Sequence, residues 1–174
     1  MMFTVERSIQ ILERTPEVLG LLLQDISDDW TSNNEGGESW SVYDVIGHLI
    51  HGEETDWIPR IEIILSERED KTFRPFDRFA QLSKLKTVPL KTLVDKFKTL
   101  RKKNIERLRS KSLTEKMLQE KGIHPALGEV TLAQLIATWV VHDLDHLSQI
   151  SRVMAKQYKS EVGAWSEYLK ILKQ

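Results

Sequence analysis

The segment from Thr131 to Gln157 carries a helical repeat that places two histidines among inward-facing positions. These positions recur at alternating steps of four and three residues, the spacing of one buried seam in a bundle of helices. Thr131 and Gln134 form a capping-box pattern, which is typical of a helix start. The chain must therefore fold so that one long amphipathic helix is covered along its length. The seam consists of Leu135, Trp139, His142, His146, Gln149 and Val153.

His142 and His146 lie one helical turn apart on this seam. Residues at i and i+4 share a helix face and are about 6 Å apart along the axis, so two ring nitrogens can converge on one ion. Zinc and nickel bind neutral imidazole nitrogen, and a site with three protein ligands leaves a position for water or substrate. The pair therefore predicts a metal site that takes a third ligand from another helix. The alternative is a pair of core histidines that hydrogen-bond to their neighbours.

A second predicted helix, over residues 42–67, offers that third histidine. Ser41 provides its N-cap pattern. On a helical wheel His48 lies at the edge of the apolar face, whereas His51 lies nearly opposite the centre of that face, so His48 is the preferred ligand. Glu53 also lies on the inward side, where it is a candidate general base or fourth ligand. Pairing of Glu53 with an arginine or lysine is the alternative.

Other polar residues near these histidines admit two interpretations each. Gln149 is a candidate to bind a metal-bound water, or it makes a structural hydrogen bond between helices. Asp143 and Asp145 are expected to pair with charges on another helix, and His124 is expected to be an exposed loop residue. The aromatic residues expected in the core or an interface are Trp40, Tyr43 and Trp57.

The composition predicts one ordinary domain over residues 1–174, because 174 residues with 40% hydrophobic content can bury a sizeable core. A net charge of -1 argues against a general binder of polyanions. The chain has no cysteine, so any thiol chemistry needs an external thiol. It shows no apolar run of membrane-spanning length and no secretory signal pattern, so a cytoplasmic location without membrane contact is expected.

Two prolines predict interruptions in the helices. Pro16 predicts a break or kink between a helix over residues 4–14 and a following helix over residues 16–28. Pro59 predicts a bend in the second bundle helix near Thr55.

A third long helix is predicted over residues 89–109, and its outer faces are rich in lysine and arginine. We interpret these charges as a solvated helix surface and expect no nucleic-acid binding, because aromatic residues are not interleaved with them. The basic residues are Lys96, Lys98, Arg101, Lys102, Lys103, Arg107 and Arg109.

The remaining segments predict no strand and no repeat. The connection that follows residue 67 is expected to be irregular, with a helical turn over 76–82, and to cover one mouth of the bundle. Residues 118–129 are expected to form a loop, because they contain two glycines and a proline. A short helix over 161–172 is expected to pack Trp165, Leu169 and Leu172.

Two stretches of this chain resemble the DinB/YfiT-like superfamily of small metal-binding four-helix proteins. They are WSVYDVIGHLIHGEETDWIPR, over residues 40–60, and HDLDHLSQISRVMA, over residues 142–155. The resemblance extends over nearly the whole chain. It implies an all-α, four-helix bundle with up-down-down-up topology, a long connection and a homodimer. It also implies a divalent metal ion, zinc or nickel, held by His48, His142 and His146.

The same resemblance implies an enzyme that acts on a small-molecule substrate. Its similar members include thiol S-transferases, which use bacillithiol, mycothiol or glutathione, and proteins described as metal-dependent hydrolases. The metal would then activate an external low-molecular-weight thiol or a water. The alternative is a non-catalytic, stress-related module in which the ion only clamps helices, and DNA binding ranks last.

Overall fold

Four long helical segments make up most of the protein, for which a computed structural model describes residues 2–80 and 88–173. The helices are α1 (Val5–Leu23), α2 (Asp28–Ser32), α3 (Val42–Thr55), α4 (Trp57–Leu65), α5 (Leu90–Ser110), α6 (Glu115–Leu118) and α7 (Leu132–Lys156). The first long segment is α1, the second is split into α3 and α4, and the third and fourth are α5 and α7. A hairpin of β1 (Lys121–His124) and β2 (Gly128–Thr131) precedes α7, and 3-10 helices at Gly163–Glu167 and Lys170–Leu172 follow it.

The four segments run up, down, down and up, as predicted. Helix α5 is antiparallel to α1 and parallel to α3 and α4, while α7 is antiparallel to α3 and α4. The predicted four-helix bundle is therefore confirmed, and the long connection after α4 is what allows two successive segments to run in the same direction. The contacts that define these directions are Glu17–Lys98 and Glu13–Arg109 between α1 and α5, Glu54–Lys96 and Glu62–Arg107 between α3–α4 and α5, and His48–His146 and Trp57–Trp139 between α3–α4 and α7.

Helix α1 continues through Pro16, so of the predicted break or kink the break is wrong. A proline lacks the N–H that would bond to the carbonyl four residues earlier, here that of Leu12. Arg101 of α5 donates from Nη1 to this carbonyl oxygen at 2.8 Å. A side chain from another helix thus satisfies the group that Pro16 leaves free, which the local sequence could not reveal.

The predicted bend near Thr55 is confirmed as a break between α3 and α4 at Asp56. The N–H of Asp56 donates to the carbonyl of Gly52 at 3.0 Å and ends α3. Pro59 then lies in the first turn of α4, where an amide N–H needs no helical partner. The break turns the side chain of Asp56 toward the space between α4 and the connection that follows it.

The hairpin corrects the prediction of a loop without strands over residues 118–129. The N–H of Ile123 donates to the Lys71 carbonyl at 3.0 Å, and Phe73 donates its N–H to the Ile123 carbonyl at 2.9 Å. Gly122 allows this approach, because a Cβ there would lie 2.5 Å from Phe73 Cε1. The hairpin therefore fixes the start of the long connection against the bundle.

The connection follows the prediction where the structure describes it. Residues 67–77 are irregular apart from one bridge, and 78–80 form a turn; the rest of the helical turn predicted over 76–82 lies outside the described residues.

In the tail, the predicted short helix is replaced by two 3-10 helices. Leu172 is buried there, but Trp165 is 72% exposed and Leu169 is 39% exposed. Among the described residues, no helix is both long and apolar enough to cross a bilayer.

The core consists of two apolar clusters with a polar layer between them. One cluster surrounds Leu12, Ile61 and Trp139, and the other surrounds Leu19 and Ile46. The buried side chains of the layer come from α3, α5 and α7, and they are Glu53, Arg101, Asn104 and Asp143. The three predicted histidine ligands lie at this same level of the bundle, on the side of α3 and α7.

Candidate metal centre

His48, His142 and His146 converge between α3 and α7. The Nε2 atom of His142 lies 3.1 Å from the Nε2 atoms of both His48 and His146. Among the described residues, these three form the one group of histidines and carboxylates whose ligand atoms all lie within 4.8 Å of one another. Both helices begin at a capping box, Ser41 with Asp44 and Thr131 with Gln134, which sets the phase that turns the histidines inward.

Burial keeps all three rings uncharged at neutral pH. It lowers the pKa of His48 to about 3 and that of His142 to about 2, and the neighbouring histidines add to both shifts. The pKa of His146 is also lowered by burial, although the hydrogen bond that the ring donates to Gln149 opposes this shift. Neutral imidazole is the form that binds a divalent metal ion.

The spacing of the three nitrogens fits a shared ion better than it fits hydrogen bonds. A ring nitrogen carries either one N–H or one in-plane lone pair, so His142 Nε2 cannot make two well-directed bonds to two other rings. Two nitrogens bound at about 2.0–2.1 Å to one tetrahedral zinc ion lie roughly 3.3 Å apart. The observed 3.1 Å is close to this separation. The donor set also consists of the imidazoles that zinc and nickel accept.

Gln149 orients one ring of the cluster. Its Oε1 atom lies 2.7 Å from His146 Nδ1, so the ring donates its proton to the amide oxygen and the Nε2 lone pair faces the cluster. The Nδ1 atoms of His48 and His142 are buried and make no hydrogen bond with the described residues. Gln149 is thus a supporting residue of His146, which is neither of the two roles considered from the sequence.

Replacement of Gln149 by leucine is expected to weaken metal affinity about 10- to 100-fold, the usual cost of losing a residue that orients a ligand. Gln149→Glu keeps an acceptor for His146 Nδ1 and should retain affinity. Competition with a coloured chelator measures both, and Ser148→Ala, at an exposed position on the same helix, is the control. Unchanged affinity in Gln149→Leu would show that the orientation of His146 does not depend on this bond.

A cavity of about 310 Å³ opens beside the three histidines. Trp40 and Trp57, which were expected in the core, are buried and also form its walls. The connection after α4 covers it as predicted, because Phe76 packs edge-on against His48 at 5.4 Å and the Arg78 guanidinium lies 5.5 Å from the Trp40 ring centre. The cluster is therefore reached from a small cavity that the connection partly covers.

Glu53 lies in the buried polar layer and is fully engaged there. Its Oε1 accepts from Arg101 Nη2 at 2.8 Å and from Trp139 Nε1 at 3.2 Å, and its Oε2 accepts from Asn104 Nδ2 at 3.0 Å. Burial raises the pKa of Glu53, and the Arg101 charge opposes this shift. Both oxygens are occupied, so the pairing alternative describes Glu53, and the roles of general base and fourth ligand do not fit its position.

Arg101 corrects the interpretation of α5 as a helix with a fully solvated basic face. Its side chain is 1% exposed, and its Nη2 also donates to Asp143 Oδ1 at 2.9 Å. Asp143 thus pairs with another helix, as expected. The signal for Arg101 was present in the sequence, because positions 97, 101, 104 and 108 follow the same four-three spacing that marks the seam of α7.

His124 and Asp56 are two cavity residues that the sequence reasoning missed. His124 was expected in an exposed loop, but it ends β1, is partly buried and faces the cavity. Asp56 also lines the cavity and forms an ion pair with Arg60, whose Nε lies 2.7 Å from Asp56 Oδ1. His51, the rejected alternative to His48, lines a neighbouring groove and not the histidine cavity.

Comparison with known proteins gives a family and a fold. A family model described as the DinB superfamily matches residues 11–150. The solved structure of YfiT from Bacillus subtilis, described as a probable metal-dependent hydrolase with an unusual four-helix bundle topology, has a TM-score of 0.72 and 22% sequence identity to this chain. That match covers 91% of this chain and 87% of the YfiT chain. No curated protein matches the chain by sequence.

Proposed function

The chain belongs to the DinB superfamily, and from that premise we propose that it is a metal-dependent enzyme whose ion is held by His48, His142 and His146. The observation that carries the proposal is the position of His142 Nε2, which lies 3.1 Å from the Nε2 atoms of both other rings. YfiT, a protein of the same fold that is described as a probable metal-dependent hydrolase, supports the choice of metal chemistry.

The chemistry that fits this site is activation of a small nucleophile. A bound zinc or nickel ion supplies a positive charge that favours the deprotonated form of a thiol or a water. The chain has no cysteine, so a thiol nucleophile comes from an external low-molecular-weight thiol. We propose transfer to a thiol or hydrolysis as the reaction class, with a small-molecule substrate.

The protein's own residues contribute a small cavity beside the histidines. Three neutral histidines leave room for a further ligand, since no described carboxylate joins their cluster. Trp40, Phe76 and Arg78 line this cavity, which is partly open. An ion that only clamped helices would need no such space beside it, so the enzyme is favoured over the clamp.

Metal loading followed by ligand access tests the proposal. Untagged protein incubated with zinc or nickel is expected to hold about one equivalent of metal after desalting. The cobalt-loaded protein should then show a spectral change when an external thiol is added. The zinc-loaded protein should either transfer bacillithiol, mycothiol or glutathione to an electrophile or hydrolyse members of a panel of esters and amides. The metal-free protein should do neither. Protein that takes up no metal overturns the proposal, and metal that no added ligand can reach supports the clamp.

A further inference from the structure

Three residues in the wall of the histidine cavity carry hydrogen-bond donors that no other described residue uses. They are Nε1 of Trp57, the two Nη atoms of Arg60 and Nε2 of His124, none of which makes a hydrogen bond with the described residues. The fully enclosed, unpaired polar side-chain atoms of the described residues are Nδ1 of His48 and Nδ1 of His142. The three wall donors are not among them, so they face open space, and all three residues line the same cavity.

The guanidinium of Arg60 borders both this cavity and the neighbouring groove, and it is held by two contacts. Its Nε lies 2.7 Å from Asp56 Oδ1 in an ion pair, and its carbon lies 5.2 Å from the centre of the Phe73 ring. Asp56 and Arg60 have side chains only 10% exposed, so the pair is anchored in the wall. The two Nη atoms make no hydrogen bond with the described residues, and their spacing matches the two oxygens of a carboxylate.

His124 donates into the same space without carrying a charge. Its Nδ1 accepts from the backbone N–H groups of Ala126 and Leu127, each at 3.2 Å, so the ring proton lies on Nε2. Burial and the nearby Arg60 charge lower the pKa of His124 and keep the ring neutral. The hairpin turn therefore fixes which nitrogen of His124 is the donor.

Trp57 supplies the third donor because α3 has a glycine beside it. The indole Nε1 would lie 3.2 Å from a Cβ at Gly52, which is a tight contact, so the glycine leaves room for the indole against α3. The indole is stacked on Trp139 and contacts the edge of His142 at 5.0 Å between ring centres. This donor therefore lies between the histidine cluster and the Arg60 wall.

The charge of the cavity favours an anion. Its walls contain two arginines, Arg60 and Arg78, against the single carboxylate of Asp56. At about 310 Å³ the cavity is at the small end of ligand sites. The occupant is therefore a small molecule with an anionic group close to its reacting end.

We propose that Trp57, Arg60 and His124 form an anion-binding subsite beside the three histidines, and that the small-molecule ligand of this protein presents a carboxylate to it. The inference rests on the proposed function, because the other end of the ligand then meets the ion held by the histidines. Arg60 acts as the principal anchor and His124 as a neutral donor that sets the position of the carboxylate.

Binding of short thiols to cobalt-loaded protein tests this subsite. The absorption band of a cobalt–thiolate bond gives a Kd for each thiol. The carboxylates 3-mercaptopropionate and 6-mercaptohexanoate are compared with the neutral 3-mercaptopropanol and 6-mercaptohexanol. For at least one of the two chain lengths, wild type is expected to bind the carboxylate thiol about tenfold or more tightly than the neutral thiol. The reason is that hydrogen bonds to charged groups are stronger than those to neutral groups.

The variants separate recognition from damage to the fold. Arg60→Gln should reduce the preference to about one, and His124→Ala should reduce it several-fold, with cobalt content unchanged in both. Asp56→Asn removes the negative charge but keeps an acceptor for Arg60 Nε, so it should increase the preference for the carboxylate thiol. A merely structural effect would instead weaken thiol binding in every variant. Arg74→Gln, which lines the neighbouring groove only, is the matched control.

The outcomes distinguish this inference from the proposed function. Wild type that binds no cobalt overturns the proposed function itself. Wild type that binds cobalt and thiols, but prefers the carboxylate at neither length, overturns the subsite alone. A preference that survives in Arg60→Gln would remove Arg60 as the anchor, and 3-mercaptopropanesulfonate binding as tightly as 3-mercaptopropionate would overturn the assignment to a carboxylate.

Discussion

Alanine at any one of His48, His142 and His146 is expected to abolish stable metal binding. Two imidazoles on one helix hold an ion only weakly, and the third, from α3, closes the set that lies around His142 Nε2 at 3.1 Å. Wild type should hold about one equivalent of zinc or nickel after desalting, and each variant a small fraction of that. Elemental analysis of untagged protein measures the loss directly.

His51→Ala is the matched control for this experiment. His51 is on the same helix as His48, three residues later, but its ring packs on Phe76 at 4.9 Å and lies outside the cluster. Full metal content in His51→Ala together with loss in His48→Ala identifies the ligand on α3. Full content in His48→Ala would transfer the third-ligand role to another residue, and circular dichroism of every variant checks that the bundle has formed.

The convergence of the histidines follows from local rules, which explains why the sequence predicted it. The capping boxes at Ser41 and Thr131 define where α3 and α7 begin, and the helical period then fixes which residues share a face. The antiparallel contact of the two helices places His48 opposite His142 and His146. A ligand set made of regular positions on capped helices needs no knowledge of loops.

The features that the sequence did not predict depend on contacts between distant segments. The path of α1 through Pro16 depends on Arg101, which is 85 positions later in the chain. The place of His124 at the cavity depends on a hairpin of four-residue strands that pairs with the connection at Phe73, and strands this short carry little periodic signal. Asp56 faces the cavity only because the helix breaks there.

Arg101→Met is expected to cost about 3–5 kcal/mol of folding free energy, because it leaves buried carboxylates without their partner. Arg101 binds Glu53 at 2.8 Å and Asp143 at 2.9 Å, and it also satisfies the Leu12 carbonyl that Pro16 leaves free. Urea unfolding followed by circular dichroism measures the loss. Lys102→Met, at an exposed neighbouring position on α5, should change stability by less than about 0.5 kcal/mol.

A triple variant, Arg101→Met with Glu53→Leu and Asp143→Leu, distinguishes the free energy lost through unpaired charges from the free energy lost through poorer packing. If the single variant is unstable because charges are left unpaired, removal of all three charges should recover most of the lost free energy. Recovery would be incomplete because Trp139 Nε1, which donates to Glu53 Oε1 at 3.2 Å, loses its acceptor. A triple variant as unstable as Arg101→Met would instead attribute the cost to lost packing. Metal content of the triple variant then tests whether the polar layer also positions His142, the neighbour of Asp143 on α7.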